Sequence, residues 1–267
     1  AAGPGALALN WNATGAAGSI GSIVGGRYAI FTSTDPAAVP SVSSALVSFS
    51  TVTEALARQD YLLSGLRGNA TYYVSVFLAD ASGNYSGASN RAAAETLANP
   101  PRNVQTLGLG ATAFTLAWDT GHNAPGTQYQ VQLSSGPGLV LAVTPFTADL
   151  SSIAYADLDA NKTYFVAAQE SNTSSTLTPS ETIATVTTLA LPPGTTGPAF
   201  VGVSTGGVAA QWLAGGNPDD TEFFSEISTA TSRAPVFAAS GWVRASSFTF
   251  AGLPSGTTFY GQVKARN

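Results

Sequence analysis

The single histidine of this 267-residue chain, His122, and its fifteen Asp and Glu residues are the side chains that could carry acid–base chemistry near neutral pH, because cysteine is absent. A hydrolase triad needs a nucleophile, a base and an orienting group converging on one point. His122 lies in the turn after Trp118, whereas the turns after Trp11 and Trp212 hold no histidine, so it reads as a solvated turn residue. The carboxylates are scattered over turn positions: Asp35 before Pro36, Asp80 before Ala-Ser-Gly, and Asp219-Asp220 after Pro218. Asp favours such places because its side chain bonds nearby backbone, and a glycosidase pair would instead have to flank a cleft. Asp157 with Asp159, or Asp219 with Asp220, offers two carboxylates, short of the oxygen set that calcium takes. Without cysteine there are no disulfides, zinc–thiolate sites or thiol nucleophiles. No Gly-rich loop joins a strand to a helix, so a phosphate or dinucleotide has no platform. No metal, cofactor or enzymatic activity is expected.

Two further residue classes could mediate contact. Tyr73, Tyr85, Phe165, Trp242 and Tyr260 are candidates for an aromatic surface that stacks on sugar or on another subunit. Asn-x-Ser/Thr sequons at Asn12, Asn69, Asn84, Asn161 and Asn172 are candidate glycosylation sites if the source modifies exported proteins. Only 9% of residues are charged, against roughly 25% in an average soluble domain. The net charge of −5 and ten scattered basic residues give no footprint for nucleic acid or an anionic membrane. No apolar run approaches the roughly 18 residues of a membrane span. With mean hydropathy +0.16 and so little charge, assembly or surface attachment is expected to cover part of the surface.

The elements that carry these residues repeat. Thr96-Leu-Ala-Asn-Pro-Pro101 returns as Thr188-Leu-Ala-Leu-Pro-Pro193, an offset of 92 residues. Alternating stretches lead to each of three tryptophans: Leu7, Leu9, Trp11; Phe114, Leu116, Trp118; Val208, Ala210, Trp212. A period of two sets these side chains on one face of a strand. Gly/Asn turns follow, then second strands at Tyr28-Ala-Ile-Phe-Thr-Ser, Tyr129-Gln-Val-Gln-Leu-Ser and Phe223-Phe-Ser-Glu-Ile-Ser. A third shared segment has Leu-x5-Tyr/Phe spacing: Leu66 to Tyr72, Leu158 to Tyr164 and Leu253 to Phe259. That spacing matches a tyrosine corner, whose buried ring bonds back to the backbone. The third copy departs, with Phe259 at the corner and Gly261 where the others have Val74 and Val166. Glu54–Gln59 is predicted to form one helical turn in an otherwise all-β chain.

This order of strand, turn, corner and double-proline linker resembles fibronectin type III domains, particularly the arrays of bacterial secreted proteins, and the resemblance spans essentially the whole chain. It implies an all-β chain of three tandem immunoglobulin-like sandwiches over residues 1–98, 99–190 and 191–267, with Trp11, Trp118, Trp212, Tyr72, Tyr164 and Phe259 as core markers. Trp118 stands 17 residues beyond Pro101 and Trp212 stands 19 beyond Pro193, while 10 residues precede Trp11. The first module is therefore expected to lack its first strand. Twenty-four residues separate Tyr164 from Thr188, with a last strand at Glu181–Thr187, while eight follow Phe259, so the third module is expected to lack its last strand. Such gaps are filled by continuing sequence or by a strand from a neighbour. The expected function is structural: an extracellular or cell-surface protein assembling into a filament, tube, sheath or long array, with itself as partner. The alternative is an adhesin or carbohydrate-binding accessory module, with glycans as partner.

Overall fold

Apolar residues alternating with Ser, Thr and Gln give each strand one inward face, and the strands assemble as three successive sandwiches. The computed structural model describes residues 3–16 and 18–267. The first sandwich contains β1 (Leu7–Asn12), β2 (Ser22–Ser33), β3 (Val47–Glu54), β4 (Arg58–Leu63), β5 (Thr71–Ala79) and β6 (Ala92–Glu95). Its sheets are β1–β4 and β3–β2–β5–β6. The second contains β7 (Arg102–Leu107), β8 (Phe114–Asp119), β9 (Gln128–Ser134), β10 (Val140–Val143), β11 (Thr147–Ala148), β12 (Ser152–Tyr155), β13 (Thr163–Ser171) and β14 (Glu181–Thr187). Here β7–β8–β12 faces β10–β9–β13–β14, and β11 adds to β9. The third contains β15 (Gly194–Ser204), β16 (Gly207–Leu213), β17 (Glu222–Ser228), β18 (Ala238–Val243), β19 (Ser247–Ala251) and β20 (Tyr260–Arg266), in sheets β15–β16–β19 and β18–β17–β20. Among the described residues, the first sandwich has no counterpart of β7 and the third none of β14.

The second core joins Phe114, Leu116 and Trp118 of β8 to Val131 and Leu133 of β9 and to Tyr164 and Val166 of β13. Full burial of each aliphatic side chain contributes about 1.5–3 kcal/mol. The Trp118 indole N–H donates to Leu150 O at 3.0 Å. The third core uses Trp212, Phe223, Ile227 and Phe250. Its Gly261 has a physical reason: a Cβ there would meet the Phe200 ring at 2.6 Å, so the ring from β15 occupies the space that Val74 and Val166 fill in the other copies.

The corner hydrogen bond forms twice. Tyr72 Oη accepts from Arg67 N and Tyr164 Oη from Asp159 N, each at 2.8 Å. The third copy has lost both halves of the bond, since Pro254 replaces the donor N–H and Phe259 the acceptor. Phe259 packs edge-on against Phe237 instead, with ring centroids 5.2 Å apart.

Two features depart from the sequence reading. Glu54–Gln59 is not helical: β3 ends at Glu54, a tight turn follows with Leu56 at φ 65, and β4 begins at Arg58. The short 3-10 turn lies at Val42–Ser44. The first sandwich also buries part of its outer face, where Ala29, Phe31 and Phe77 lie under Ala38, Val42, Ala45 and Tyr85.

Candidate functional site: the inter-module joints

Polar groups converge where one sandwich meets the next, and the same residue types do the work at both joints. In the first joint Asn123 Oδ1 accepts from Asn99 N at 2.7 Å, and its Nδ2 faces Asn99 O at 2.8 Å, Thr120 O at 2.7 Å and Tyr129 Oη at 2.7 Å. In the second, Asn217 Oδ1 accepts from Leu191 N at 2.6 Å, and its Nδ2 donates to Leu191 O at 2.8 Å. Both asparagines stand five residues after their core tryptophan, in the turn that leaves β8 or β16. A primary amide offers donor and acceptor side by side, so one side chain can bond both the N–H and the C=O of a passing linker residue.

The corner turns supply the opposing half. Asn69 Nδ2 donates to Thr127 Oγ1 and Asn161 Nδ2 to Thr221 Oγ1, both at 2.7 Å. Asn69 and Asn161 sit at φ 52 and 48, in the left-handed region that asparagine tolerates better than most residues. A third repeated element follows β13 and β20: Asn172 Nδ2 reaches Thr96 O at 3.5 Å, and Asn267 Nδ2 reaches Thr188 O at 3.0 Å. The first joint is reinforced by Thr173 N, which donates to Asn69 Oδ1 at 2.7 Å, and by Glu95, which accepts from the Thr173 and Ser174 hydroxyls. Asn69, Asn99, Asn123, Asn172 and Asn217 are all buried, where an amide left without partners costs about 1–3 kcal/mol.

These contacts bear directly on three of the five candidate glycosylation positions. The Nδ2 atoms of Asn69, Asn161 and Asn172 are joint donors, so a glycan there would displace the joint. Asn12 and Asn84 are exposed; Asn84 closes a loop on Asp80. Of the joint residues, the sequence reading singled out Asn69, Asn161 and Asn172 as sequons and missed Asn99, Asn123, Asn217 and Asn267. The available signal was an Asn five residues beyond both Trp118 and Trp212.

The remaining candidates are dispersed. His122 is exposed at φ 61, and its carbonyl accepts from Gly68 N at 3.3 Å across the first joint. Asp159 pairs with Lys162 at 2.9 Å. Among the described residues no group of three or more His, Asp or Glu could hold a metal ion. Tyr73 and Tyr85 belong to the first sandwich, Phe165 to the second, and Trp242 and Tyr260 to the third. Trp242 lies 5.2 Å from Phe224, and its ring is covered by the Arg266 guanidinium at 4.3 Å, while Lys264 covers Phe224 at 4.7 Å. One face of the indole is thus already taken.

One buried carboxyl has no counterpart in the other modules. Glu170 of β13 is fully buried; Thr178 Oγ1 donates to its Oε2 at 2.5 Å, and its Oε1 has no partner. Burial pushes its pKa up to about 7. Leu78 and Ala265 occupy the equivalent positions.

No family model and no curated protein sequence matches this chain. Among solved structures it is similar to a segment of two fibronectin type III domains from chicken tenascin, with 14% identity over 70% of this chain and 95% of that one, at a TM-score of 0.40. It is also similar to a computationally redesigned β-sandwich protein, with 21% identity over 34% of this chain and 94% of that one, at a TM-score of 0.30. The strand order of the second sandwich, β7–β8–β12 against β10–β9–β13–β14, is itself fibronectin type III-like. No helix among the described residues is long and apolar enough to cross a membrane.

Proposed function

We propose that the chain is an architectural rod: an extracellular or cell-surface protein whose sandwiches, held at fixed angles, build a filament, tube, sheath or long array. The observation that carries this reading is the recurrence of one joint chemistry at two places. The amides of Asn123 and Asn217 each clamp a linker backbone, and Asn69 and Asn161 each donate to a threonine. Linkers that only tether binding domains have no need of buried joint bonds, because relative motion is the default for small polar interfaces. Continuity along the array would come from strand addition at the free edges of β1 and β20, supplied by continuing sequence or by a neighbouring chain.

An adhesin or carbohydrate-binding role draws less support. The aromatics are spread over three modules, and Trp242 already carries Arg266 on its ring. Negative-stain electron microscopy of native material and small-angle scattering of the isolated chain test the proposal. Regular filaments, tubes or sheets built from stiff rods are expected. Dispersed molecules with freely jointed modules would refute it and make glycan binding the next experiment.

A further inference from the structure

β10 is the outer strand of the larger sheet in the second sandwich, and with the preceding residue it reads Leu139-Val-Leu-Ala-Val143. Leu139, Val140, Leu141 and Val143 are 61%, 48%, 54% and 50% exposed. A strand lying on a core alternates, but this one is apolar on both faces. Its ladder with β9 shifts register between Val140 and Ala142, leaving Leu141 as an extra residue outside the pairing. Solvent-facing edges are ordinarily blunted by Lys, charge or proline. Here Pro137 and Pro145 lie outside the strand, and residues 120–148 contain no Asp, Glu, Lys or Arg. The outer strands in the same place elsewhere are better protected: β3 alternates and ends at Glu54, and β18 carries Trp242 beneath Arg266.

We propose that this edge is a lateral self-association surface, on which β10 of one chain meets β10 of a second copy, antiparallel about a two-fold axis at Leu141. The partner must be uncharged and apolar, because the patch offers nothing for a charged group to pair with. A second copy supplies such a surface and keeps the carboxylates responsible for the net charge of −5 outside the contact. The arrangement is self-complementary: Leu139 of one copy faces Val143 of the other, Val140 faces Ala142, and Leu141 faces Leu141. Position agrees with this. Joints occupy both poles of the second sandwich, so its flank is the surface it can offer to a neighbouring rod. Four exposed side chains on one short strand cover less than the roughly 800 Å² per partner of a standard stable interface. A single pair is therefore weak, and repetition along aligned rods strengthens it. The inference rests on the architectural reading only for that last step.

The chain has no cysteine, so Leu141→Cys introduces one thiol per molecule. A disulfide needs the two Cα atoms within about 7 Å, so mild oxidation should give a covalent dimer from Leu141→Cys in far higher yield than from Val39→Cys, a control 82% exposed on the first sandwich. Sedimentation should show concentration-dependent association of the parent chain, weakened about tenfold or more by Val140→Lys at unchanged melting temperature, since a charge in an apolar contact must be desolvated. Equal cross-linking at the two positions, or a parent chain that stays monomeric at every accessible concentration, overturns the proposal. Stiff rods that fail to cross-link at position 141 would remove this interface and leave the rod intact. Flexible chains that cross-link there would do the reverse.

Discussion

Glu170 is the residue whose chemistry most exceeds its structural task. Its carboxyl is buried against Thr178 with one oxygen unpartnered, and its pKa is raised from 4.5 to about 7. A carboxyl with a raised folded-state pKa binds its proton more tightly in the folded chain, so its effect is neutral below about 4.5, increasingly destabilising as pH rises to about 7, and constant above that. The second module should therefore lose stability between about pH 4.5 and 7, by on the order of 3 kcal/mol at roughly 1.4 kcal/mol per pKa unit. Glu170→Gln should abolish most of that slope and match the parent chain at acid pH, as read by thermal melts at a series of pH values. The corner hydroxyl gives a second residue-scale expectation. Tyr164→Phe leaves the Asp159 N–H without its partner and should cost about 1–3 kcal/mol by denaturant titration. Neither joint nor buried acid was legible as such in the sequence, because an asparagine in a turn looks the same whether it faces water or a neighbouring module. The corner was legible, because Leu-x5-Tyr is a fixed local geometry.

At the scale of elements, the alternating strands ending at Trp11, Trp118 and Trp212 could be read directly, since a period of two with one buried face admits few alternatives. The last strand of the second module falls at Glu181–Thr187, as the spacing implies. What the pattern concealed was the two-sided burial of β2 and β5, whose runs Tyr28-Ala-Ile-Phe31 and Val76-Phe-Leu-Ala79 are continuous because loop 34–46 covers their outer face. The swap of Phe200 for a sheet valine beside Gly261 was also hidden, because it pairs residues 61 positions apart. The joints themselves can be tested as elements. Asn123→Ala should leave Asn99 N and O without their joint partner, loosening the first joint while the second holds. Scattering should show a broader distribution of first-to-second module distances, and Asn217→Ala should move the disorder to the other joint. An unchanged profile in both variants would mean that the proline linkers alone fix the angles.

At the scale of the molecule, stability rests on apolar burial and neutral hydrogen bonds, with three exposed or half-exposed ion pairs among the described residues, Arg58–Asp60, Lys162–Asp159 and Arg266–Glu222. Exposed pairs contribute little and are screened by salt. The melting temperature should consequently change little as sodium chloride is raised to about 1 M, and a large fall would reveal an electrostatic contribution that these contacts do not account for. The first and third modules do not repeat every joint residue. Gly26 and Asp80 stand in the first module where Thr127 and Asn172 stand in the second, and Gly256 stands in the third where Asn69 and Asn161 stand in the others. Only the middle module carries both halves of the fastening, with Asn123, Thr127 and Asn172 at one end and Asn161 and Thr188 at the other. It is consequently a cassette: in the rod proposed above, copying it in tandem would give every new seam its own lock and key, so that length would be set by gene duplication with no need to invent a new interface.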